Sequence, residues 1–324
     1  MSVINIHRLD ELEIKMLTHL QRDGRSSYTS LAERCDVAEG TIRKRLRRLQ
    51  NRGVLRIKGV ADPARTGMDT AAVVWLRVER GKLMDVAAQI TALHHAHYVA
   101  YTTGASDILA IVTLSSQDEL MRFLTYDLGS IKNLTEVETS MVLKTYKQPY
   151  RWAPWSSGAP ETSAGAGDTF EPDEIDLKII DYLEQDGRMT FVTIAEALGI
   201  TESTVRRRVT AILESKIMEI ASIINPARVG YTTAAMIGIK VERARLQTVV
   251  QELTGLPEVR YLALSTGKYD LIIEVVQESN ENLLDFLVGR LEELPGIIRT
   301  DTHLLLKLSK ETYNWGVAHK HQAT

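Results

Sequence analysis

Asp23-Gly24-Arg25, Pro63-Ala64-Arg65 and Val78-Glu79-Arg80 recur in the same order as Asp186-Gly187-Arg188, Pro226-Ala227-Arg228 and Val241-Glu242-Arg243. Each recurrence lies 163 residues further along the chain, so residues 9–152 repeat without a gap as residues 172–315. This period is far longer than the ~20–45 residues of a solenoid repeat. The sequence therefore predicts two copies of one folded unit, which we call the first copy and the second copy.

Composition places the chain among ordinary folded proteins. Its 324 residues include 39 basic and 42 acidic side chains, and 44% are hydrophobic, which excludes disordered, collagen-like and coiled-coil classes. The single cysteine, Cys35, allows no internal disulfide and no thiolate metal cluster, which fits a reducing cytosol. There is no apolar run of the ~18 residues that a membrane span needs, and no signal-peptide pattern. We expect a cytoplasmic protein with no membrane partner, no metal and no cofactor.

Domain boundaries follow from changes in composition and periodicity. Residues 153–171, rich in Pro, Gly, Ser and Ala, predict a flexible linker, and residues 316–324 predict a tail. Within each copy, the first ~60 residues have helical periodicity and the remaining ~80 alternate strand and helix. The predicted domains are residues 1–60, 61–152, 172–223 and 224–315.

The first domain of each copy has the outline of a helix-turn-helix. Apolar residues at helical spacing predict a first helix that Asp10 caps and Gly24 ends, as Asp173 and Gly187 do in the second copy. A second helix, the tight turn Asp36-Val37-Ala38 and a third helix follow. A three-residue turn between the last two helices is typical of this motif.

The third helix of the first copy carries a strong charge signal. Eight basic residues and no acidic residue lie between Arg43 and Lys58, whereas residues 206–221 contain four basic and two acidic residues. Recognition helices need donors near base edges and cations near phosphates, so we expect double-stranded DNA as a partner, with the first copy contributing more. The expected DNA-binding residues are Thr41, Arg43, Lys44, Arg47, Arg48, Ser203, Thr204, Arg206 and Arg207.

Two alternatives to DNA contact stay open. Arg45 and Arg208 lie close to the apolar stripe of the third helix, so they can instead pair with acidic residues of the first helix. The whole charged face can also be a solvated surface used only for protein contacts. A basic third helix in both copies favours DNA.

The second domain of each copy alternates strands and helices in the order βαββαβ. This order, with a single hairpin in the middle, is the ferredoxin-like plan. The fold class is therefore α+β, with two copies of a winged helix-turn-helix domain followed by a ferredoxin-like domain. The elements expected in the first copy are strands 71–79, 98–103, 107–114 and 134–144 and helices 83–93 and 118–128.

The central hairpins turn at Thr103-Gly104-Ala105-Ser106-Asp107 and Thr266-Gly267-Lys268-Tyr269-Asp270. Glycine leaves its amide open to a ligand carboxylate, and an aspartate three residues later can accept a ligand ammonium. Gly and Asp also close hairpins, and spacing alone favours that structural role. The candidate effector-binding residues are Thr266, Gly267, Tyr269, Asp270, Thr103, Gly104 and Asp107.

Each copy resembles a whole subunit of the Lrp/AsnC (feast/famine) family of transcription regulators. The resemblance rests on residues 41–48, the connector 54–67 with Asp62-Pro63, Leu256-Pro257-Glu258-Val259, the hairpin 266–271 and Leu294-Pro295-Gly296-Ile297. It implies a DNA-binding domain followed by a ligand-binding domain through which subunits form homo-oligomers. It also implies a small effector, commonly an amino acid, bound between subunits near the hairpin.

The two copies depart from this pattern in different places. Ser106 stands where the second copy has Tyr269, and Ala211 stands where the first has Arg48. We therefore expect the first copy to dominate DNA contact and the second to dominate effector binding. A flexible linker spanning on the order of 25 Å allows the copies to pair within one chain, and pairing between chains is the open alternative.

A tetrapyrrole enzyme is the alternative function, because siroheme decarboxylases also resemble Lrp/AsnC proteins and can be fused in tandem. Such an enzyme needs cations for carboxylates and histidines near the ring, and His94, His95 and His97 lie together before a strand. The second copy has no histidine at the matching positions, and the basic third helix indicates DNA. We therefore expect no enzymatic activity, and we expect these histidines to be solvated.

Overall fold

The computed structural model describes residues 6–155 and 170–314, and the predicted tail and most of the predicted linker lie outside these ranges. The first copy contains α1 (Glu11–Arg22), α2 (Tyr28–Cys35), α3 (Glu39–Asn51), β1 (Leu55–Ala61), β2 (Thr70–Val78), α4 (Leu83–Ala92), β3 (Ala96–Thr102), β4 (Ile108–Leu114), α5 (Gln117–Arg122) and β5 (Leu134–Lys147). The second contains α6 (Glu174–Gln185), α7 (Phe191–Leu198), α8 (Glu202–Glu214), β6 (Met218–Ile224), β7 (Thr233–Val241), α9 (Leu246–Gly255), β8 (Val259–Ser265), β9 (Leu271–Gln277), α10 (Asn280–Phe286) and β10 (Ile297–Glu311). The same element order in both copies confirms the repeat.

Local signals place both ends of α1 and α6 correctly, but the two glycines after these helices have a different role from the one predicted. Asp10 and Asp173 cap α1 and α6 through capping boxes, as predicted. Gly24 and Gly187 directly follow the C-cap residues Asp23 and Asp186, as predicted, but neither has the positive φ of a left-handed glycine cap. A Cβ on Gly187 would lie 2.9 Å from the backbone of β1, so glycine is required there by close packing.

Each ferredoxin-like domain has a wider helical turn than predicted. The expected helix 118–128 is α-helical only in α5 and continues as a π-helical turn at Phe123–Asp127. The second copy repeats this with α10 and Leu287–Leu291. The turns still bury Phe123 and Leu291 against the sheets, so the helices cover the outer faces as the pattern requires.

The sheets of the two copies close into one barrel within the chain. The strand order is β10-β3-β4-β2-β5-β8-β9-β7, in which β5 pairs with β8 and β10 pairs with β3, all antiparallel. Closure removes the unpaired edges that each four-stranded sheet would otherwise expose. The copies therefore pair with each other, and the open question of pairing within or between chains is resolved for this structure.

The barrel interior is a core shared by both copies. Trp75 of β2 packs edge-on against Tyr269, with ring centroids 5.8 Å apart, and also lies 4.6 Å from the ring of His303. The residues that fill this core are Val73, Trp75, Tyr98, Ala100, Leu109, Met236, Tyr261, Ala263, Tyr269 and Ile272.

A two-stranded ribbon, formed by β1 and β6, links the helix-turn-helix domains. Leu55 pairs with Ile224 and Ala61 with Met218 in antiparallel register. Because β1 follows α3 and β6 follows α8, the ribbon connects the two third helices directly. Beneath it, Tyr150 and Tyr313 meet edge to face, 5.4 Å apart, and pack on the ribbon's apolar side chains.

The predicted linker begins later than its composition indicates. Ala153 is fully buried, and Trp155 packs on the core of the first helix-turn-helix domain. Gln21 of α1 also donates a hydrogen bond to the carbonyl of Trp152. Residues 153–155 therefore belong to the folded domain. None of the helices among residues 6–155 and 170–314 has the length and apolar character that crossing a membrane demands.

Candidate DNA interface and hairpin sites

The cationic face of α3 is fixed by burial of its opposite side. Ile42, Leu46 and Leu49 are at most 1% exposed, so the helix has one possible orientation on its domain. Lys44 and Arg47 are consequently exposed, and neither forms an ion pair with any residue in 6–155 or 170–314. An open groove of about 440 Å³ runs along this face, lined by Gly40, Arg43, Lys44, Arg47, Arg48, Asn51 and Arg52.

Arg43 and its counterpart Arg206 are held by the same two contacts. Arg43 bonds Glu39 at 2.6 Å and lies 4.7 Å over the ring of Tyr28. Arg206 bonds Glu202 at 2.5 Å and lies over an aromatic ring of α7. Both guanidinium groups remain more than half exposed, so they are oriented without being withdrawn from the surface.

The aromatic rings under these arginines also join the two helix-turn-helix domains. Arg188 stacks on Tyr28 from the second copy, and Arg25 stacks reciprocally on Phe191. Arg25 donates to the carbonyl of Met189, and Arg188 donates to carbonyls in the turn after α1. The repeated Asp-Gly-Arg triplets therefore form the contact between the two DNA-reading domains, a role that the sequence pattern did not reveal.

Arg45 and Arg208 take the structural role that the sequence left open. Arg45 donates to Asp10, the cap of α1. Arg208 donates to Asp173 and Asp176 at 2.7 and 2.8 Å. Each arginine thus ties the third helix to the first turn of the first helix in its own copy.

Arg48, an expected DNA residue, is also part of an internal network. It donates to Glu13, a fully buried carboxylate that His7 contacts at 2.8 Å, and Arg52 reaches the other nitrogen of His7. Burial would raise the pKa of Glu13, but hydrogen bonds from Arg48 and His7 outweigh it and lower that pKa. Contact of Arg48 with DNA stays a prediction, because 44% of its side chain is exposed beside this network. Glu13 was missed, although Asp10-x-x-Glu13 is a capping-box signature.

The second copy presents a weaker version of the interface. Ser203 and Arg207 are exposed on α8, and Thr204 is half-buried, as is Thr41 on α3. Thr201 caps α8 by accepting from the Thr204 amide, whereas α3 has no side-chain cap. The positions of Arg47 and Arg48 are taken by uncharged residues in the second copy, so α8 offers less positive charge to a phosphate backbone.

The hairpin aspartates support the hairpins themselves. Asp107 accepts the backbone N–H of Val78 at 2.9 Å. Asp270 accepts the matching N–H of Val241 at 2.9 Å and a bond from Lys240 at 2.8 Å. The structural role that spacing favoured is thus present in both copies, and the carboxylates already have partners.

The hairpin backbones lie where the copies meet. The amide of Thr103 donates to the Leu304 carbonyl on β10, and the amide of Thr266 donates to the Met141 carbonyl on β5. Gly104 and Gly267 both have positive φ, and each faces a strand of the other copy. The structure therefore brings the threonines and glycines of both hairpins to the two seams between the copies, whereas Asp107 and Asp270 bond within their own copy.

Tyr269 points into the barrel and not toward solvent. The side chain is buried against Gly238, where an added Cβ would lie 2.5 Å from three ring atoms. Its hydroxyl donates to Asp301 at 2.9 Å. Burial raises the pKa of Tyr269, so the phenol stays protonated. Tyr269, which the sequence analysis proposed as an effector-binding residue, is therefore a core residue next to the predicted site.

The three clustered histidines have different environments. His94 is exposed, and His95 lies 3.6 Å from Glu119. The expectation of solvation is wrong for His97, which is 4% exposed, and burial lowers its pKa to about 3. His97 lies on β3, every residue of which is buried because β4 and β10 pair with it on both sides and side chains cover both of its faces. Within the described part of the chain, His, Cys, Asp and Glu form no group that could hold a metal ion.

Comparison with known protein families shows which family this chain belongs to. The Lrp/AsnC ligand binding domain matches residues 71–152 and again 234–315, more than half of the chain. The chain belongs to the Lrp/AsnC family of transcriptional regulators. An AsnC-type helix-turn-helix domain matches residues 173–211, and a winged helix-turn-helix DNA-binding domain matches residues 9–56.

Curated relatives are about as long as one copy of this chain. An uncharacterized HTH-type transcriptional regulator of Pyrococcus furiosus is 37% identical over 147 residues, which cover 45% of this chain and 97% of that protein. The HTH-type transcriptional regulator LrpA of Pyrococcus abyssi is 32% identical over 139 residues, which cover 43% of this chain and 99% of that protein. This Lrp/AsnC protein thus joins two such lengths in tandem.

The tandem architecture matches an enzyme. The crystal structure of the siroheme decarboxylase NirDL with an iron-uroporphyrin III analogue has a TM-score of 0.67 and 15% identity, covering 96% of this chain and 98% of that one. At this identity the likeness shows the fold alone. The expectation that the protein has no enzymatic activity is nevertheless wrong as a flat statement, because a known enzyme has the same tandem fold. The fold by itself assigns neither function.

Proposed function

We propose that this Lrp/AsnC protein regulates transcription by binding a specific double-stranded DNA site, and that the first copy supplies most of the binding energy. The observation that carries the proposal is the outer face of α3, where Lys44 and Arg47 are exposed and unpaired within the described residues. Cations of this kind neutralise phosphates and release counterions, which supplies much of the affinity of DNA-binding proteins.

The preferred DNA site is asymmetric. A dimer of identical subunits presents two equal recognition helices and reads a palindrome. Here α3 and α8 lie in one chain, are joined by the ribbon and differ in sequence. Two unequal half-sites in fixed order follow from that arrangement.

The protein also responds to a small effector, for which an amino acid is the expected class. Support comes from the hairpin glycines, Gly104 and Gly267, whose backbones lie at the seams between the copies. A ligand there would touch both copies, and its binding energy would act on their arrangement.

Further assembly of chains through the ferredoxin-like domains is part of the proposal. Their outer helices expose Met121, Tyr126, Leu284 and Val288, each at least 53% accessible. Each copy thus exposes two large apolar side chains on its outer helix, and exposed apolar surface favours self-association. Light scattering across a concentration series would report a mass above that of one chain.

Footprinting of the purified protein on DNA upstream of its own gene, across a salt series, tests the main proposal. We expect a protected site whose affinity falls steeply with salt. The variant Arg43→Ala/Lys44→Ala should lose more affinity than Arg206→Ala/Arg207→Ala. Binding that never exceeds the level on unrelated DNA would contradict the proposal.

A further inference from the structure

We infer that the cleft between the ribbon and the end of β10 binds a small organic anion through its carboxylate groups, and that this ligand acts on the DNA-reading domains. The second half of the inference rests on the regulatory function proposed above. The cleft itself is separate from the hairpin sites, because it lies at the opposite ends of the barrel strands from the hairpin turns.

The cleft has the size and lining of a small-molecule site. Its volume is about 420 Å³, inside the range of roughly 300–1,000 Å³ that is typical of ligand pockets. One wall comes from the ribbon and the other from the last strand of the barrel and the residues after it. The lining residues used here are Arg56, Lys58, Ile223, Leu308, Glu311 and Tyr313.

The ribbon wall carries two cations, of which Lys58 has one carboxylate nearby, that of the buried Glu184. Leu55 and Ile57 turn toward the core of the first helix-turn-helix domain, so Arg56 and Lys58 project from the other face of β1. Arg56 is exposed and Lys58 half-buried, and neither makes an ion pair with the described residues 6–155 and 170–314. Two neighbouring cations at a concave surface attract an anion.

The opposite wall also carries a carboxylate, that of Glu311, which is bonded to residues other than Arg56 and Lys58. Glu311 accepts from the buried Arg260 and from the Tyr313 hydroxyl, the latter at 2.7 Å. Arg260 also bonds Glu274 at 2.9 Å, and the surrounding carboxylates hold the pKa of Arg260 above its usual value despite burial. Glu311 thus has two partners within its own wall and makes no ion pair with Arg56 or Lys58, so both cations of the ribbon wall face the cleft.

The other copy shows what is missing. The 163-residue shift places Glu219 where Arg56 stands and Tyr150 where Tyr313 stands. There, Arg151 donates two bonds to Glu219, at 2.9 and 2.6 Å. One side of the tyrosine pair thus contains its own carboxylate, whereas the matching position on the other side is an arginine. A carboxylate from a ligand supplies the ion-pair partner that none of the described residues gives to Arg56.

The remaining walls select an organic ligand. Ile223 is nearly buried and Leu308 is 43% exposed, so both offer apolar surface to a carbon skeleton. Carboxylates match the planar fork of Arg56 in two parallel hydrogen bonds. The class is therefore a small di- or tricarboxylate and not a free inorganic anion.

Position explains how such a ligand would act. The ribbon continues directly into α3 and α8 at its two strands, and β10 belongs to the barrel. A ligand held by Arg56 and the end of β10 bridges these parts. Its binding free energy therefore favours one placement of the helix-turn-helix domains on the barrel.

Citrate is the probe for a calorimetric test with the full chain. The wild type should bind it saturably, and Arg56→Gln/Lys58→Gln should bind about tenfold more weakly or worse, as expected for loss of two charge-assisted contacts. Arg80→Gln/Lys82→Gln is the matched control, since it removes the same charges from an exposed turn and should bind like the wild type. Equal affinity of the cleft variant and the wild type, or no saturable binding by the wild type, would overturn the site. Inorganic phosphate binding as tightly as citrate would overturn the carboxylate assignment.

A second variant guards against a folding defect. Arg56→Glu/Asn314→Arg copies the Glu219–Arg151 pair into this cleft, so it should keep the melting temperature of the wild type and lose citrate binding. Undiminished citrate binding by this variant would contradict the inference.

DNA footprints with and without citrate separate the two halves of the inference. Citrate should shift wild-type DNA affinity and leave Arg56→Gln/Lys58→Gln unaffected. An operator affinity that ignores citrate overturns the coupling. Citrate binding that depends on Arg56 in a protein without any specific DNA site would keep the cleft and reject the regulatory function.

Discussion

The two third helices share a buried side and differ on the outer one. Positions facing the core stay apolar in both, with Ile42 and Leu46 of α3 matched by Val205 and Val209 of α8. On the outer side, the second copy keeps cations at the positions of Arg43 and Lys44 but has Thr210 and Ala211 at the positions of Arg47 and Arg48. In a dimer of identical subunits every substitution appears twice, whereas one chain allows each half to change alone. In the fused chain the buried positions of the two helices are thus conserved, whereas their outer surfaces differ.

The two copies also differ inside the barrel, where close packing limits which substitutions are possible. Trp75 of the first copy corresponds to Gly238, and Tyr269 of the second corresponds to Ser106. Each half therefore contains one large and one small residue, in opposite places, and Tyr269 occupies the space over Gly238. Total volume is kept although symmetry is lost, which is how close-packed cores tolerate change.

The largest loss of stability should come from disturbing the packing of Tyr269 against Gly238. Gly238→Ala places a Cβ against the Tyr269 ring and should lower the free energy of unfolding by about 3 kcal/mol. Tyr269→Ser, which copies Ser106, makes room, so the double variant should lose less than the sum of the two single variants. Urea unfolding measures all three. Strict additivity would show that the ring and the glycine do not depend on each other.

The next effect separates the two recognition helices at matched positions. Lys44→Ala/Arg47→Ala removes two exposed cations, whereas Arg207→Ala/Thr210→Ala removes one. We expect a loss of DNA affinity of about 30-fold for the first and about fivefold for the second, with salt slopes reduced by about 2 and about 1. Fluorescence anisotropy across a salt series measures both. Equal losses would reject the dominance of the first copy.

A buried carboxylate should distinguish the first helices. Burial and the nearby Asp181 raise the pKa of Glu184 to about 8, whereas the first copy has Gln21 at this position. Ionisation above its usual pKa favours the unfolded chain, so wild-type stability should fall as pH rises from about 4.5 to about 8. Glu184→Gln should therefore stabilise by roughly 2–4 kcal/mol at pH 8 and much less at pH 5. Urea unfolding of both proteins at pH 5 and pH 8 measures this difference. A gain in stability that does not depend on pH would exclude ionisation of Glu184 as its cause.

The smallest effect concerns the two sides of the tyrosine pair. Arg151→Gln breaks a partly buried bidentate bond and should cost about 1 kcal/mol. Arg56→Gln, at the ribbon's unpaired cation, should change stability by less than about 0.5 kcal/mol without ligand. Thermal unfolding of both variants tests the contrast. A larger loss in Arg56→Gln would mean that this arginine has a structural partner after all.

Features with a local signal were predicted well. The capping residues Asp10 and Asp173, the buried stripe of α3 and the βαββαβ order were all readable, because each depends on neighbours within a few residues. Arg45 stayed open between two roles because its partner, Asp10, is 35 residues away. His97 was misjudged because its burial depends on strands that close around it from elsewhere in the chain.

From the amino-acid sequence alone we could infer that this protein is one unit repeated twice, which segments are helices and strands, and which copy is more basic. Periodicity, capping residues and charge are local properties, so they can be recognised in the sequence without a structure. The tertiary structure was needed to show that the sheets close into one barrel, that the Asp-Gly-Arg turns join the helix-turn-helix domains, and that Arg56 faces a cleft in which no described residue pairs with it. Those outcomes depend on contacts between residues more than 100 positions apart in the chain, whose pairing is set by packing and not by neighbouring residues.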